Sequence, residues 1–543
     1  MFVKFRKLTT FQNEYNKLNP RQKEAVDTIY GPVMVIAGPG TGKTQTLAVR
    51  IANILQKTDS MPSSILCLTF TNSGVKAMRE RLVKIIGPDA YRIDVHTFHS
   101  FCNEVITFHP ERFLFAKKMQ QITDLEQIQY VMKILNEGDF KLLRPPKSAD
   151  FYLKSIIKAI SDLKMEGLTP KEYGKIVRQR YQEYEIYLAE REKKPTQKEL
   201  SEKTSIEKNL ELADLYQNYQ NAMRENGRYD YNDMILFVLN EFKKDVNFLA
   251  GYQEKYLFIL VDEYQDTNGA QNELIKLMGA KVDQPNIMVV GDDEQSIYRF
   301  QGASLENLLF FNDLFSKTKK IVLNINYRSP KNLVKAARSM IIHAEVNAQQ
   351  VLAIDKGIEA ADQNDVPGVQ LVKLESDDLE QSWIMEKIKK LSRSGVDLSD
   401  IALIFRTNDE MEDYKKLFLA AGVDWRFLTG ANILQEKIIS QLVDLIRVII
   451  NPFNDELLFK VMYFSWLKID EVDHYRLLSF GRRKIFAWLV ENKDTDLTDK
   501  FKDWPGLVKF TNFVLTIRKE NANQTLPDRS EEHTSELQSP NTI

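Results

Sequence analysis

The sequence predicts an α/β protein: a parallel sheet with crossover helices, interrupted by a long helical stretch and followed by a second, partial sheet region. Three observations predict it. Apolar runs alternate with helical stretches between residues 18 and 100, and strand-like runs return at 256–261, 286–290 and 320–323. The first run, at 33–37, empties into a glycine-rich turn followed by Gly42, Lys43 and Thr44.

Within the first region the strands are expected at 33–37, 64–70 and 93–95, and the helices at 43–56 and 73–86. From 101 to 225 the pattern changes to charged stretches with Ile156, Ile157, Ile160 and Leu163 at helical spacing, which reads as a helical insertion. The sheet then resumes. A second βα-type stretch follows: a helix after Pro330, a strand at 369–374, a helix at 379–391, a strand at 401–405 and a helix ending near Ala421. Residues 355–367, rich in Asp and Ala and closed by a proline, read as a loop, and 434–528 is again helical and aromatic-rich. No internal repeat is visible.

A buried strand emptying into a glycine-rich loop and then a helix cradles phosphate, because backbone N–H groups and the helix N-terminus converge there. Ala37 takes the place of the first glycine of G-x-x-x-x-G-K-[ST], followed by Gly38, Pro39, Gly40, Thr41 and Gly42. N–H groups around Gly38 to Gly42 are expected to face the α- and β-phosphates and Lys43 to reach the β- and γ-phosphates. The Thr44 hydroxyl is expected to take one position on Mg²⁺. The run at 256–261 delivers Asp262 and Glu263 at its carboxyl end. Beside such a loop, the first acid holds Mg²⁺ and the second orients and deprotonates the attacking water. ATP and Mg²⁺ are thus the expected cofactors.

The composition, 43% apolar and 28% charged over 543 residues, is that of an ordinary soluble chain with room for several domains. No apolar run approaches the roughly 18 residues that a membrane span needs, and the basic first residues lack an apolar continuation, so no membrane partner is expected. Two cysteines, Cys67 and Cys102, exclude a disulfide framework and fit a reducing, cytoplasmic setting. The net charge of −2 carries no global mark of a polyanion partner, so nucleic-acid binding must be local. Basic clusters at 76–84, 154–180 and 317–338 read as solvated helix faces. Residues 529–543 resemble one reading frame of a short-read sequencing adapter and are expected to be foreign to the fold.

With these pieces in order, the chain resembles the superfamily 1 DNA helicases of the UvrD/Rep/PcrA type over nearly all of residues 15–528. The motifs that carry the resemblance are "LNPRQKEAV" from Leu18, "AGPGTGKT" from Ala37, "TFTNSGVKAMRERL" from Thr69, "TFHSF" from Thr97, "VDEYQDTN" from Val261, "VVGDDEQSIYRFQGA" from Val289 and "NYRSP" from Asn326. The resemblance implies RecA-like P-loop motor domains, the first complete and the second partial, with helical insertions. Residues 1–102 and 226–320 would form the two parts of the first motor domain and 103–225 its helical insertion. Residues 321–434 would begin the second motor domain, and 435–528 would belong to a further helical domain.

The same resemblance implies site roles. Gln22 would read the adenine edge and Tyr327 stack on the ring. Gln295 would sense the γ-phosphate and couple it to Tyr298 and Phe300 on the DNA side, and Arg328 would stabilise charge building on the γ-phosphate. For a single strand, held by a backbone-following groove and aromatic faces, the candidates for bases are Phe70, Phe98, His99 and Phe300, and for phosphates Thr69, Asn72 and Thr97. The implied activity is an ATP-dependent 3′–5′ helicase acting on single-stranded DNA and duplex junctions, with accessory repair or recombination proteins as further partners. A protein-stripping translocase, a helicase-nuclease and a nucleotide-gated DNA-binding module remain open. Two departures stand out: Phe300 and Gln301 occupy positions where many relatives have Trp and Arg, and motifs V and VI, expected past Asp528, are not in the sequence.

Overall fold

The computed structural model describes residues 10–113, 119–145, 151–191, 194–281, 284–295, 305–315, 317–341, 343, 356–426, 437–464, 466–467, 469–481 and 485–520. They fall into two units, Met1–Leu371 and Val372–Ile543.

The first unit is built on six parallel strands: β1 (Val33–Ala37), β2 (Ile65–Thr69), β3 (Asp94–Thr97), β6 (Phe258–Val261), β7 (Ile287–Gly291) and β8 (Lys319–Leu323). They run in the order β3-β2-β6-β7-β1-β8. Every residue of β1, β2, β6 and β7 is buried. Strands covered on both faces read as near-continuous apolar runs, which is why they were visible in the sequence. Side chains alternate between two apolar layers: Met34 and Ile36 of β1 join one, and Val33, Val35 and Ala37 the other. The helices Lys43–Lys57 and Asn72–Ile86 cover the second layer; Phe98–Phe108, Asp233–Lys244 and Gly269–Gly279 cover the first. Because all the strands are parallel, their carboxyl ends share one edge. That edge is where ligands bind in open α/β sheets.

Between β3 and β6 the chain makes the helical excursion expected from its spacing. The helices Asp124–Glu137, Leu153–Met165, Pro170–Ala189 and Gln197–Glu225 surround a separate core of Val131, Leu135, Ile156, Ile160, Leu215, Tyr216 and Tyr219. Three of them start with a Thr/Glu capping box: Thr123 with Glu126, Thr169 with Glu172 and Thr196 with Glu199. A short parallel pair, β4 (Gln120–Gln121) and β5 (Arg228–Tyr229), closes the excursion. A second pair, β9 (Ile325–Asn326) and β10 (Glu359–Ala360), follows β8. Cys67 and Cys102 are both buried free thiols.

The second unit holds the helices Asp377–Arg393 and Asn408–Ala421 and a helical cluster from Lys437–Ile450 to Trp504–Glu520, cored by Val448, Leu458, Leu477, Phe501 and Leu507. One expectation about the second βα-type stretch fails. Residues 369–374 and 401–405 form no strand, and Leu371 and Ile404 are 98% and 94% exposed. A β-ladder needs a partner on at least one edge, and neither segment has one among the described residues. No described helix is long and apolar enough to cross a membrane.

Candidate active site

The turn after β1 has the backbone that its glycines require. Gly40 and Gly42 have φ of 67° and 82°, the left-handed region that costs a side-chain-bearing residue about 1–2 kcal/mol. Space excludes a side chain as well: a Cβ on Gly40 would lie 2.7 Å from Arg328 Cβ, and one on Gly42 would lie 2.8 Å from Gln22 Nε2. Ala37, by contrast, is the last residue of β1, registered opposite Leu323, and needs no positive φ. Alanine in the first glycine's place is therefore without conformational cost.

Distant segments brace this loop. Gln22 Nε2 donates to Thr41 O at 2.9 Å, and Thr41 Oγ1 donates to Gly38 O at 2.8 Å. Asn326 Nδ2 donates to Pro39 O at 2.7 Å, and Tyr327 N donates to Gly40 O at 2.9 Å. Asn326 Oδ1 accepts from the N–H groups of Arg328 and Ser329, each at 2.8 Å. One buried asparagine thus ties the loop to the segment bearing Tyr327 and Arg328, whose side chains stay exposed. Gln22 is itself set by a capping box with Asn19, and Asn19 Nδ2 donates to Tyr327 OH at 3.0 Å. The helix Pro20–Asp27 is anchored by the buried Arg50 guanidinium, which donates to the carbonyls of Ala25 and Thr28; burial pulls its pKa down to about 9.

The acids arrive on β6. Asp262 N extends the ladder by donating to Leu68 O at 2.8 Å, and Glu263 then turns with φ of 50°, the one positive φ at a non-glycine among the described residues. Such strain clusters at functional sites. Here it directs Glu263 towards the loop, where its Oε2 lies 2.9 Å from Lys43 Nζ. Burial, reinforced by the Glu263 charge, pushes the Asp262 carboxyl up to about 7, and the same two causes push Asp266 up to about 6. Asp266 Oδ1 is buried and accepts no hydrogen bond among the described residues. Asp262, Glu263 and Asp266 thus crowd their negative charge beside Lys43. Thr44 is partly exposed at the start of the helix Lys43–Lys57.

A polar chain continues along the sheet edge. Gln265 Nε2 donates to Glu263 Oε2 at 2.9 Å, and Gln265 Oε1 accepts from Asp292 N at 2.8 Å. Asp292 Oδ2 accepts from Gln295 Nε2 at 2.8 Å, and Asp292 Oδ1 lies 2.8 Å from Lys356 Nζ. Gln295 is therefore three hydrogen bonds from Glu263, through Gln265 and Asp292. The sequence reading assigned no role to Asn326, Gln265 or Lys356: the first two sat inside quoted motifs, but Lys356 is a lone lysine in a loop and had no signal at all.

The strand-binding candidates separate. Phe70 is half-buried and Asn72 exposed, whereas Thr69 and Thr97 are buried, with Thr97 Oγ1 accepting from Ser100 N as a helix cap. Phe98 corrects an expectation: it is 2% exposed in the core beneath the sheet, so its ring has no face for a base. His99, one residue on, turns outward and stacks on Tyr231 with centroids 3.7 Å apart and planes at 21°. Its Nε2 is buried without a hydrogen-bond partner among the described residues, and burial pulls its pKa down to about 4. Tyr231, which sequence reasoning missed, is 50% exposed. Tyr298 and Phe300 lie outside the described residues.

The chain matches the UvrD/REP helicase N-terminal domain over residues 18–316 and the UvrD-like helicase C-terminal domain over residues 321–499. It is 32% identical over 438 residues to the ATP-dependent DNA helicase PcrA of Staphylococcus epidermidis strain RP62A, covering 81% of this chain and 54% of that protein. With the ATP-dependent DNA helicase PcrA of Staphylococcus aureus strain Mu50 it shares 30% identity over 440 residues, again 81% of this chain and 54% of the relative. The chain thus spans about half the length of the curated relatives it matches. The N-terminal match alone takes in more than half of the residues and contains the entire six-stranded sheet except β8, so the chain belongs to the UvrD/REP helicase family.

Proposed function

We propose that this chain is the ATP-hydrolysing part of a DNA helicase that moves 3′ to 5′ on single-stranded DNA and opens duplex junctions, in DNA repair, replication or recombination. One observation carries the reading: Lys43 of the phosphate loop and Glu263 of the acid pair meet at 2.9 Å across a sheet edge. The direction of movement rests on the family resemblance.

ATP with Mg²⁺ would supply the scissile phosphoanhydride and a cation to neutralise it, with Thr44 and Asp262 as the groups that hold the metal. Lys43 would exchange Glu263 for phosphate oxygens, which leaves Glu263 free to orient and deprotonate water. The Asn326 clamp would keep Arg328 beside the loop for charge building on the γ-phosphate, and Tyr327, tethered by Asn19, would cover the adenine that Gln22 reads. Gln295, linked through Asp292 and Gln265 to Glu263, would report the state of the site. On the DNA side, Phe70, His99 and the exposed Tyr231 are the aromatic faces that support single-strand binding. Accessory repair proteins would meet the motor from outside this site.

The experiment measures phosphate release with and without oligo(dT), and displacement of a 3′-tailed duplex. DNA-stimulated turnover is expected from a chain that carries the complete second motor domain. A Lys43→Ala variant that keeps this turnover would sink the reading. Stimulated turnover without duplex opening would point to a translocase that strips proteins.

A further inference from the structure

The largest buried charge in the helical excursion has no part in the nucleotide site. Lys164, near the end of the helix Leu153–Met165, is fully buried. Its Nζ lies 2.5 Å from Asp230 Oδ2, 2.7 Å from Asp233 Oδ1 and 3.1 Å from Gln220 Oε1, over the Tyr219 ring. Stripping a lysine and two carboxylates of water is costly, and apolar side chains of the same volume would ordinarily hold three elements together at least as well. What the ionic cluster adds is geometry.

The two acids bracket a tight turn. Asp230 Oδ1 accepts from the N–H groups of Asn232 and Asp233, each at 3.1 Å, and Asp233 Oδ2 accepts from Asp230 N at 2.9 Å. Gln220 Nε2 donates to Asp233 Oδ1 at 2.9 Å, and Asn232 Nδ2 donates to Ser161 Oγ at 3.0 Å on the helix that bears Lys164. The residue between the two acids with no anchor of this kind is Tyr231, whose ring stacks on His99 while the residue stays 50% exposed.

We propose that Lys164 is a positioning residue for the His99–Tyr231 platform: its ammonium pins Asp230 and Asp233 on either side of Tyr231 and holds that ring ready for a base of single-stranded DNA. The proposal rests on the reading of the platform as a base-stacking surface.

The test titrates the whole chain into fluorescein-labelled oligo(dT) and follows anisotropy. Lys164→Met alone would leave two buried acids without their cation, so the main variant is Lys164→Met/Asp230→Asn, which preserves the net charge of the pocket. Tyr231→Ala and the charge-matched pair are each expected to weaken binding about ten-fold. Combined, they should bind no worse than Tyr231→Ala alone, because the pair acts only through the ring. Equal weakening by the pair with and without the Tyr231 ring overturns the proposal. If Tyr231→Ala weakens binding and the pair does not, the Lys164 role alone is lost; if Tyr231→Ala changes nothing, the platform reading falls and the proposal with it. Should the pair fail to give a cooperative melt, Gln220→Met loosens Lys164 and Asp233 without changing charge. A two- to three-fold weakening that vanishes in the Tyr231→Ala background is then expected, and unchanged binding overturns the proposal.

Discussion

Lys43 and Glu263, 220 residues apart in sequence, form a 2.9 Å ion pair at the common edge of the parallel sheet. The lysine is 9% exposed and the glutamate 34%. Each is therefore occupied by the other.

The two halves of that pair should fail differently. Glu263→Gln keeps a hydrogen-bonding partner for Lys43 and should retain triphosphate binding while turnover falls by roughly 10² or more, the usual contribution of a general base. Lys43→Ala should weaken binding and turnover together. A titration with a fluorescent ATP analogue, set beside phosphate release, separates the outcomes; equal loss of binding in both variants would contradict the division of roles.

Gly40→Ala should disable the loop. It combines a φ of 67° with a Cβ placed 2.7 Å from Arg328 Cβ, for a cost of about 2–4 kcal/mol. Gly422→Ala is the control, because its φ of 63° is similar but nothing lies within 4 Å of the added carbon. Thermal melts should show the larger drop for Gly40→Ala, together with loss of nucleotide binding that Gly422→Ala does not share.

Stability without nucleotide should decline as pH rises towards neutrality. Asp262 titrates at about 7 in the folded chain, against an ordinary value of 3.8 when unfolded. The folded state thus holds a proton that the unfolded state has lost, and this contribution is present at low pH and disappears as pH climbs through about 7. Asp266, raised to about 6, acts in the same direction. Melting temperatures measured at pH 5.5 and 7.5 should differ less in Asp262→Asn than in the parent chain.

Lys356→Met should be more damaging than its place in a loop suggests. It would leave Asp292, which is 0% exposed, without its cation, at a cost of about 3 kcal/mol. Adding Asp292→Asn should restore part of that loss in urea denaturation. Full additivity of the two substitutions would show that the pair is not coupled.

Much of this protein was legible because its sheet is buried on both faces. Strands expected at 33–37 and 256–261 formed at Val33–Ala37 and Phe258–Val261, since an apolar run closed by a glycine turn or an acid pair has little else to become. The same signal misled at 369–374 and 401–405: apolar character announces a potential strand, but only a neighbouring strand supplies the hydrogen bonds. The burial of Phe98 beside the partly exposed His99 has a similar origin. At the junction of β3 with the helix Phe98–Phe108, neighbouring residues point in opposite directions, and sequence does not say which one faces the core.

The sequence by itself determined the class of fold, the phosphate loop and the acids opposite it, because these depend on residue types at short spacing. Only the tertiary structure decided that Asn326 clamps the loop, that Gln265 and Asp292 connect Glu263 to Gln295, and that Lys356 and Lys164 are buried cations paired with acids in the first unit. The Asn326 clamp and the Gln265–Asp292 contact join residues 287 and 27 positions apart, and they exist because parallel strands bring their carboxyl ends to a single edge whatever their order along the chain.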